Sequence, residues 1–126
     1  MNERELIERA LEMKKAAYAP YSHFQVGAAV LAASGKVYGG ANVENASYGA
    51  TICAERSAIA AAVNAGERKL TAIAVTATPC GVCRQVMREF CDPAAFKVIV
   101  AKATDDFKAF TLAELLPESF GPASLV

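Results

Sequence analysis

Cys53, Glu55, Cys80 and Cys83 are the residues whose types and spacing could do chemistry together. Cys53 stands in NVENASYGATICAER (42–56), Glu55 follows two residues later, and Cys80 and Cys83 form a C-x-x-C pair in PCGVCR (79–84). Three thiolates fill three corners of a tetrahedral ion such as zinc and leave the fourth open for water. A purely structural site calls for four protein ligands. A carboxylate beside such a centre can move protons during a hydrolysis. Any one of these cysteines alone reads as ordinary core, because cysteine is among the most buried residue types. Three together, with the interposed glutamate and the leading Pro79, point to shared ligation.

The elements that must position them follow from local signals. Pro79 opens a third helix running to about Phe90, since proline suits a first helical turn. Cys80 and Cys83 then lie on one face of that turn. Ala50 to Asn64 reads as the second helix, with Cys53 in its first turn, Ala54, Ala58, Ala61 and Ala62 allowing tight packing, and Gly66 closing it. Helix starts favour thiolate over thiol, so two of them facing one point would make a poised pocket. Glu55 diverges from Cys53 by the helical turn, an offset that suits an acid meeting water. Three thiolates around a dication leave one net negative charge, which blunts the ion unless donors draw density off the sulfurs. Arg56 and Arg84 each adjoin a ligand and can supply that correction.

The remaining pattern is αββαβαββ with a short final helix. Asn2 with Glu5 resembles a capping box opening a first helix over 2–17, its end set by Pro20. Leu6, Ile7, Ala10, Leu11 and Met13 recur at helical spacing. The apolar run Phe24–Ala32 reads as a strand buried on both faces. Ser34-Gly35 turns the chain, and Lys36–Val43 returns as a hairpin partner, where Gly39-Gly40 marks a bulge or a close backbone approach. Leu70–Ala77, Phe96–Ala101 and Lys108–Thr111 complete the strands, and Thr111–Leu116 is the final helix. The order predicts an α/β layer architecture, a mixed sheet with helices on both faces, in a single domain over 1–126.

Bulk composition excludes several classes. Thirteen basic and thirteen acidic residues cancel, so no net field draws a phosphate polymer or an anionic membrane, and extended nucleic acid is set aside. No apolar run reaches the roughly 18 residues that span a bilayer. The charged Met1–Glu5 does not open a signal peptide, so a reducing, cytoplasmic setting is expected, where clustered cysteines serve as ligands rather than disulfides. A hydrophobic fraction of 54% points to surface covered by other subunits.

Cys53-Ala54-Glu55 with Pro79-Cys80-Gly81-Val82-Cys83 resembles the signature of the zinc-dependent nucleoside deaminases. Tyr18-Ala19-Pro20-Tyr21-Ser22, Phe24-Gln25-Val26-Gly27-Ala28-Ala29 and Asn42-Val43-Glu44-Asn45 narrow the likeness to the cytidine deaminase family of the short homotetrameric kind. It runs from the first helix to Leu115-Leu116-Pro117 and Phe120. The resemblance implies a three-layer α-β-α fold with a mixed five-stranded sheet and one Zn2+ per subunit held by Cys53, Cys80 and Cys83. It makes Glu55 the proton carrier and Arg56 the residue that draws density off the sulfurs. It places Phe24 beside the base, Ala54 backbone groups on the pyrimidine edge, and Tyr48 and Phe120 in a neighbouring subunit's pocket. One departure is the short Thr76-Ala77-Thr78 segment, where relatives carry a longer loop on the pocket rim.

Asn42 and Glu44 flank Val43 at a strand end, so their side chains point the same way. An amide and a carboxylate side by side suit a ribose, and Glu44 would repel a phosphate, favouring nucleoside over nucleotide. A turn-side polar pair is the plain alternative, and the resemblance favours the sugar. His23 reads as a surface residue and Cys91 as packing. The implied activity is hydrolytic deamination of cytidine and deoxycytidine to uridine and deoxyuridine with release of ammonia, in pyrimidine salvage. The rivals are deamination of another aminopyrimidine nucleoside, such as a nucleoside antibiotic, and a non-catalytic zinc-stabilised assembly module.

Overall fold

The computed structural model describes residues 2–125. Helix α1 (Glu3–Lys14) precedes β1 (Gly27–Ala32) and β2 (Val37–Ala41); α2 (Ala54–Asn64), β3 (Leu70–Val75), α3 (Gly81–Glu89), β4 (Lys97–Ala103), β5 (Asp106–Thr111) and α4 (Leu112–Leu115) follow. The strands form one five-stranded sheet in the order β2-β1-β3-β4-β5. β3 and β4 are parallel, as a helical crossover through α3 allows, and the other pairs are antiparallel.

Alternation along the strands divides the core in two. Ala29, Ala72, Ala74, Ile99 and Ala101 face Leu6, Ile7 and Ala10 of α1. Ala28, Val30, Ile73, Val75 and Val98 face α2, α3 and α4 through Ala58, Ile59, Met87 and Leu112. Successive side chains point to opposite faces, so the apolar runs serve both layers. The expected three-layer α-β-α architecture with a mixed five-stranded sheet is the one observed.

Several boundaries differ from expectation. The Asn2 side chain accepts the Glu5 amide at 2.9 Å, but the reciprocal glutamate bond is absent, and α1 ends at Lys14, six residues before Pro20. The hairpin ladder stops at Ala41; Val43 instead makes isolated bridges with Tyr18 and Ile52. The β1–β2 register runs without a shift, so Gly39-Gly40 is a close approach and not a bulge. A methyl at Gly40 would lie 2.3 Å from the Ala58 amide nitrogen, which is how nearly α2 rests on β2. Residues Tyr48–Ala50 form a separate 3-10 turn and α2 begins at Ala54. Ala54, Ala58 and Ala62 face the sheet, whereas Ala61 is exposed. Gly66 closes α2 with φ of +99°; its amide reaches Val63 and that of Glu67 reaches Ala62, the paired bonds of a Schellman end.

Candidate metal centre

Two helix starts meet at the carboxyl side of β3. Cys53 is the residue that caps α2 and Cys80 the one that caps α3, both with extended backbone. Cys53 was expected inside the first turn and Pro79 was expected to open α3. α2 instead begins at Ala54, four residues after the expected Ala50, and α3 at Gly81, two after Pro79, each behind a cap residue in extended conformation. The sulfurs of Cys53, Cys80 and Cys83 lie within 4.8 Å of one another. Cys53 Sγ is 4.0 Å from Cys80 Sγ, and Cys80 Sγ is 3.5 Å from Cys83 Sγ. Tetrahedral bonds of about 2.3 Å separate neighbouring sulfurs by roughly 3.8 Å, and a disulfide needs about 2 Å. The spacing is that of co-ligands, and all four cysteines are free thiols.

The electrostatics ask for a cation. Burial pushes the Cys53 and Cys83 thiols up; at Cys53 the Cys80 sulfur and Glu55 add to it against the pull of Cys83 and Arg56, and at Cys83 Glu55 and both other sulfurs add to it. Burial also acts to raise Cys80, but the Cys83 amide and side chain, Cys53 and the Val82 amide outweigh it, and its pKa falls below the ordinary value. The expectation that helix starts favour thiolate over thiol is therefore met in direction only at Cys80. At the other two, crowding and burial exceed the helix-start effect, and a dication reverses that balance.

Glu55 is 4% exposed, on the second residue of α2. Burial lifts its carboxyl above the ordinary carboxylate range, against the opposing pull of its own amide, Cys83 and Arg56. Arg56 donates from Nη2 to the Thr51 carbonyl at 2.9 Å. Its Nε is buried without an oxygen or nitrogen partner, while the sulfurs of Cys53 and Cys83 lie against the guanidinium and raise its pKa over the cost of burial. Arg84 does not share this role. It donates to the carbonyls of Pro79 at 3.0 Å and Leu115 at 2.8 Å, binding the approach to α3 to the end of α4.

Above Cys53, Ala54 and Glu55 opens a cleft of about 240 Å³, also lined by Phe24, Asn42 and Glu44. Ala54 opens α2 and its side chain is fully buried; its amide, at the helix start, lacks an intrahelical acceptor. Phe24 is 61% exposed, a wall and not core. Asn42 accepts the Val26 amide at 2.9 Å and donates to the Phe24 carbonyl at 2.8 Å. One donor and one lone pair of its amide remain for a ligand. Glu44 accepts the amides of Tyr21 and Ser22 at 3.0 and 3.1 Å and the Ser22 hydroxyl. Those bonds, the Ser22 hydroxyl first, hold its carboxyl below the ordinary value.

A family model described as the cytidine and deoxycytidylate deaminase zinc-binding region matches residues 1–101. The chain belongs to this family. A cytidine deaminase of Halalkalibacterium halodurans is 49% identical over 95% of each chain. One of Sporosarcina psychrophila is 42% identical over 99% of this chain and 96% of its own. The crystal structure of the Burkholderia pseudomallei cytidine deaminase superposes with a TM-score of 0.89 at 44% identity, covering 95% of this chain and all of that one.

The deaminase family's zinc has a fitting donor set here. Three sulfurs at ligand spacing, two of them disfavoured as thiolates chiefly by burial until a cation compensates, and a buried guanidinium edge facing them suit one zinc ion per subunit. The structure thus brings together Cys53, Cys80, Cys83, Glu55, Arg56, Phe24, Asn42, Ala54 and Glu44. It leaves Tyr48 on the rim, 79% exposed with its ring 6.4 Å from that of Tyr21, and Phe120, 59% exposed, outside the cleft of its own chain. Thr51 went unread in the sequence. Its carbonyl holds Arg56 and its hydroxyl the Asn45 amide, contacts without a local signature. A larger hollow of about 390 Å³ lies beside Leu70, Phe90 and Phe96 and contains none of these groups. Cys91 borders it, its thiol pushed up to about 11 by burial. Among the described residues, no helix is long and apolar enough to cross a membrane.

Proposed function

We propose that the protein adds water to cytidine and deoxycytidine and releases ammonia, leaving uridine and deoxyuridine, with Cys53, Cys80 and Cys83 holding zinc. The observation that carries this reading is one buried carboxylate, Glu55, in a cleft also lined by Cys53, whose sulfur clusters with those of Cys80 and Cys83. Zinc, when bound there, supplies the Lewis acidity that makes water nucleophilic near neutral pH. Glu55 takes a proton from that water and hands it to the ring nitrogen, then passes the second to the departing amine, so the carboxylate is regenerated. Its burial keeps bulk water from intercepting the transfer. Arg56 offsets the sulfurs' surplus charge. Phe24 flanks the base, the Ala54 backbone meets its edge, and Asn42 and Glu44 take the sugar hydroxyls, Glu44 repelling a sugar phosphate.

Tyr48 and Phe120 are read as contributions to a neighbouring subunit's cleft in a homotetramer, since both are large, apolar and exposed outside their own cleft. Residues 1–126 would act as one such domain, in cytoplasmic pyrimidine salvage. Loss of cytidine ultraviolet absorbance with zinc-loaded wild type, and its persistence with Glu55→Gln, is the expected outcome. An unchanged spectrum with zinc-loaded wild type would mean a non-catalytic zinc-stabilised module.

A further inference from the structure

We infer that Ser22 is a positioning residue for sugar recognition: its hydroxyl sets the Glu44 carboxylate in place before the nucleoside arrives. This rests on the reading of Glu44 as a sugar contact. Glu44 makes neither of the two ion pairs found among the described residues, so its orientation rests on hydrogen bonds. Its oxygens are held by the loop before β1, through the Tyr21 and Ser22 amides on Oε1 and the Ser22 hydroxyl on Oε2. A carboxylate has about four lone-pair sites. Three are taken, and the direction left for a ligand is decided by the loop.

The hydroxyl is itself aimed. Ser22 Oγ accepts the Phe24 amide at 3.0 Å, which turns its single proton toward Glu44. His23 between them has φ of +59°, a left-handed conformation uncommon for a residue other than glycine, held by its amide on the Ala19 carbonyl at 3.0 Å. Asn42 fixes the Phe24 carbonyl from the far side. A backbone turn thus converts one serine proton into a fixed direction for a carboxylate 22 residues away in sequence.

Ser22→Ala, Ser22→Thr and Glu44→Ala are compared with wild type on cytidine and on 2′,3′-dideoxycytidine, with thermal melting and zinc content confirming the fold. Ser22→Ala is expected to raise KM for cytidine on the order of tenfold, the worth of a hydrogen bond to a charged group, with kcat within about twofold. Ser22→Thr, which keeps the hydroxyl, recovers most of that loss. On the dideoxy substrate, which lacks the hydroxyls Glu44 would hold, the effect of Ser22→Ala shrinks to about twofold or less. An equal loss on both substrates, or none on cytidine, overturns the inference while a cytidine-selective loss in Glu44→Ala leaves the sugar reading standing. If Glu44→Ala also fails to discriminate, the sugar reading falls and the role of Ser22 with it.

Discussion

Replacing Gly40 by alanine puts a methyl 2.3 Å from the Ala58 nitrogen, 2.8 Å from the Ala54 carbonyl oxygen and 2.9 Å from Ala58 Cα. All three atoms are helix backbone, so no side chain can swing away. Ordinary contact begins at 3.4 Å, and α2 must therefore retreat by about 1 Å. β2 cannot yield as easily, because its ladder to β1 runs from Gly27↔Ala41 to Leu31↔Val37. Overpacking of this kind costs about 1–3 kcal/mol, or roughly 5–10 °C in Tm for a chain of this size. The functional cost is larger than the stability cost suggests. α2 carries Cys53 at its cap and Glu55 in its first turn, whereas Cys80 and Cys83 ride on α3. Ligand distances tolerate only about 0.2 Å, and a 1 Å misplacement near the chemistry can cost on the order of a hundredfold in rate. Gly40→Ala is thus expected to lose zinc and about a hundredfold in kcat/KM, read by zinc content and the cytidine absorbance assay. Gly35→Ala is the matched control. Gly35 has φ of +91° with nothing within 4 Å, so alanine there costs about 1–2 kcal/mol of backbone strain and should leave kcat/KM intact. Equal activity in the two variants, or an unchanged Tm in Gly40→Ala, would refute the reasoning.

Arg56→Gln should keep the fold and lose about ten- to a hundredfold in turnover, the usual cost of removing a group that supports metal ligands; wild-type turnover would remove the charge-compensation argument. Chelation of zinc should lower Tm and expose Cys53, Cys80 and Cys83 to a thiol reagent. Metal at a thousand times its Kd stabilises by about 4 kcal/mol, and an identical melt with and without chelator would contradict ligation. Glu67 accepts the hydroxyls of Ser34 at 2.7 Å and Tyr38 at 2.8 Å, and these bonds hold its carboxyl below its ordinary 4.5. A depressed folded value contributes stability that is complete above that ordinary value and is lost as pH falls through the lower one. Wild type should therefore out-melt Glu67→Ala at pH 7 and converge with it in strong acid; a gap that widens on acidification would reverse the sign.

The ligand trio, the glutamate and the order of elements were legible in the sequence because their signals are local. A C-x-x-C pair at a helix start, the apolar run ending at Ala32, and Gly66 after α2 each act within a few residues. What the sequence left open depends on contacts between distant segments. Arg84 and Arg56 both adjoin a ligand, yet only Arg56 faces the sulfurs, because the carbonyls of Pro79 and Leu115 draw Arg84 away. Asn42 and Glu44 read as an amide and an acid at a strand end. That Asn42 clamps the Phe24 peptide and that the 18–24 loop sets Glu44 emerges only when segments about 20 residues apart meet. The thiols show the same division. Helix starts predict anions, but burial and crowding decide otherwise at Cys53 and Cys83, since desolvation is a property of the packed neighbourhood and not of the chain. The sequence by itself determined which groups the fold would bring together at the sulfur cluster and its cleft. Their directions, protonation and spacing were decided by the packing of α2 and α3 on the sheet, because hydrogen-bond and metal geometry is fixed to fractions of an ångström that only tertiary contact can set.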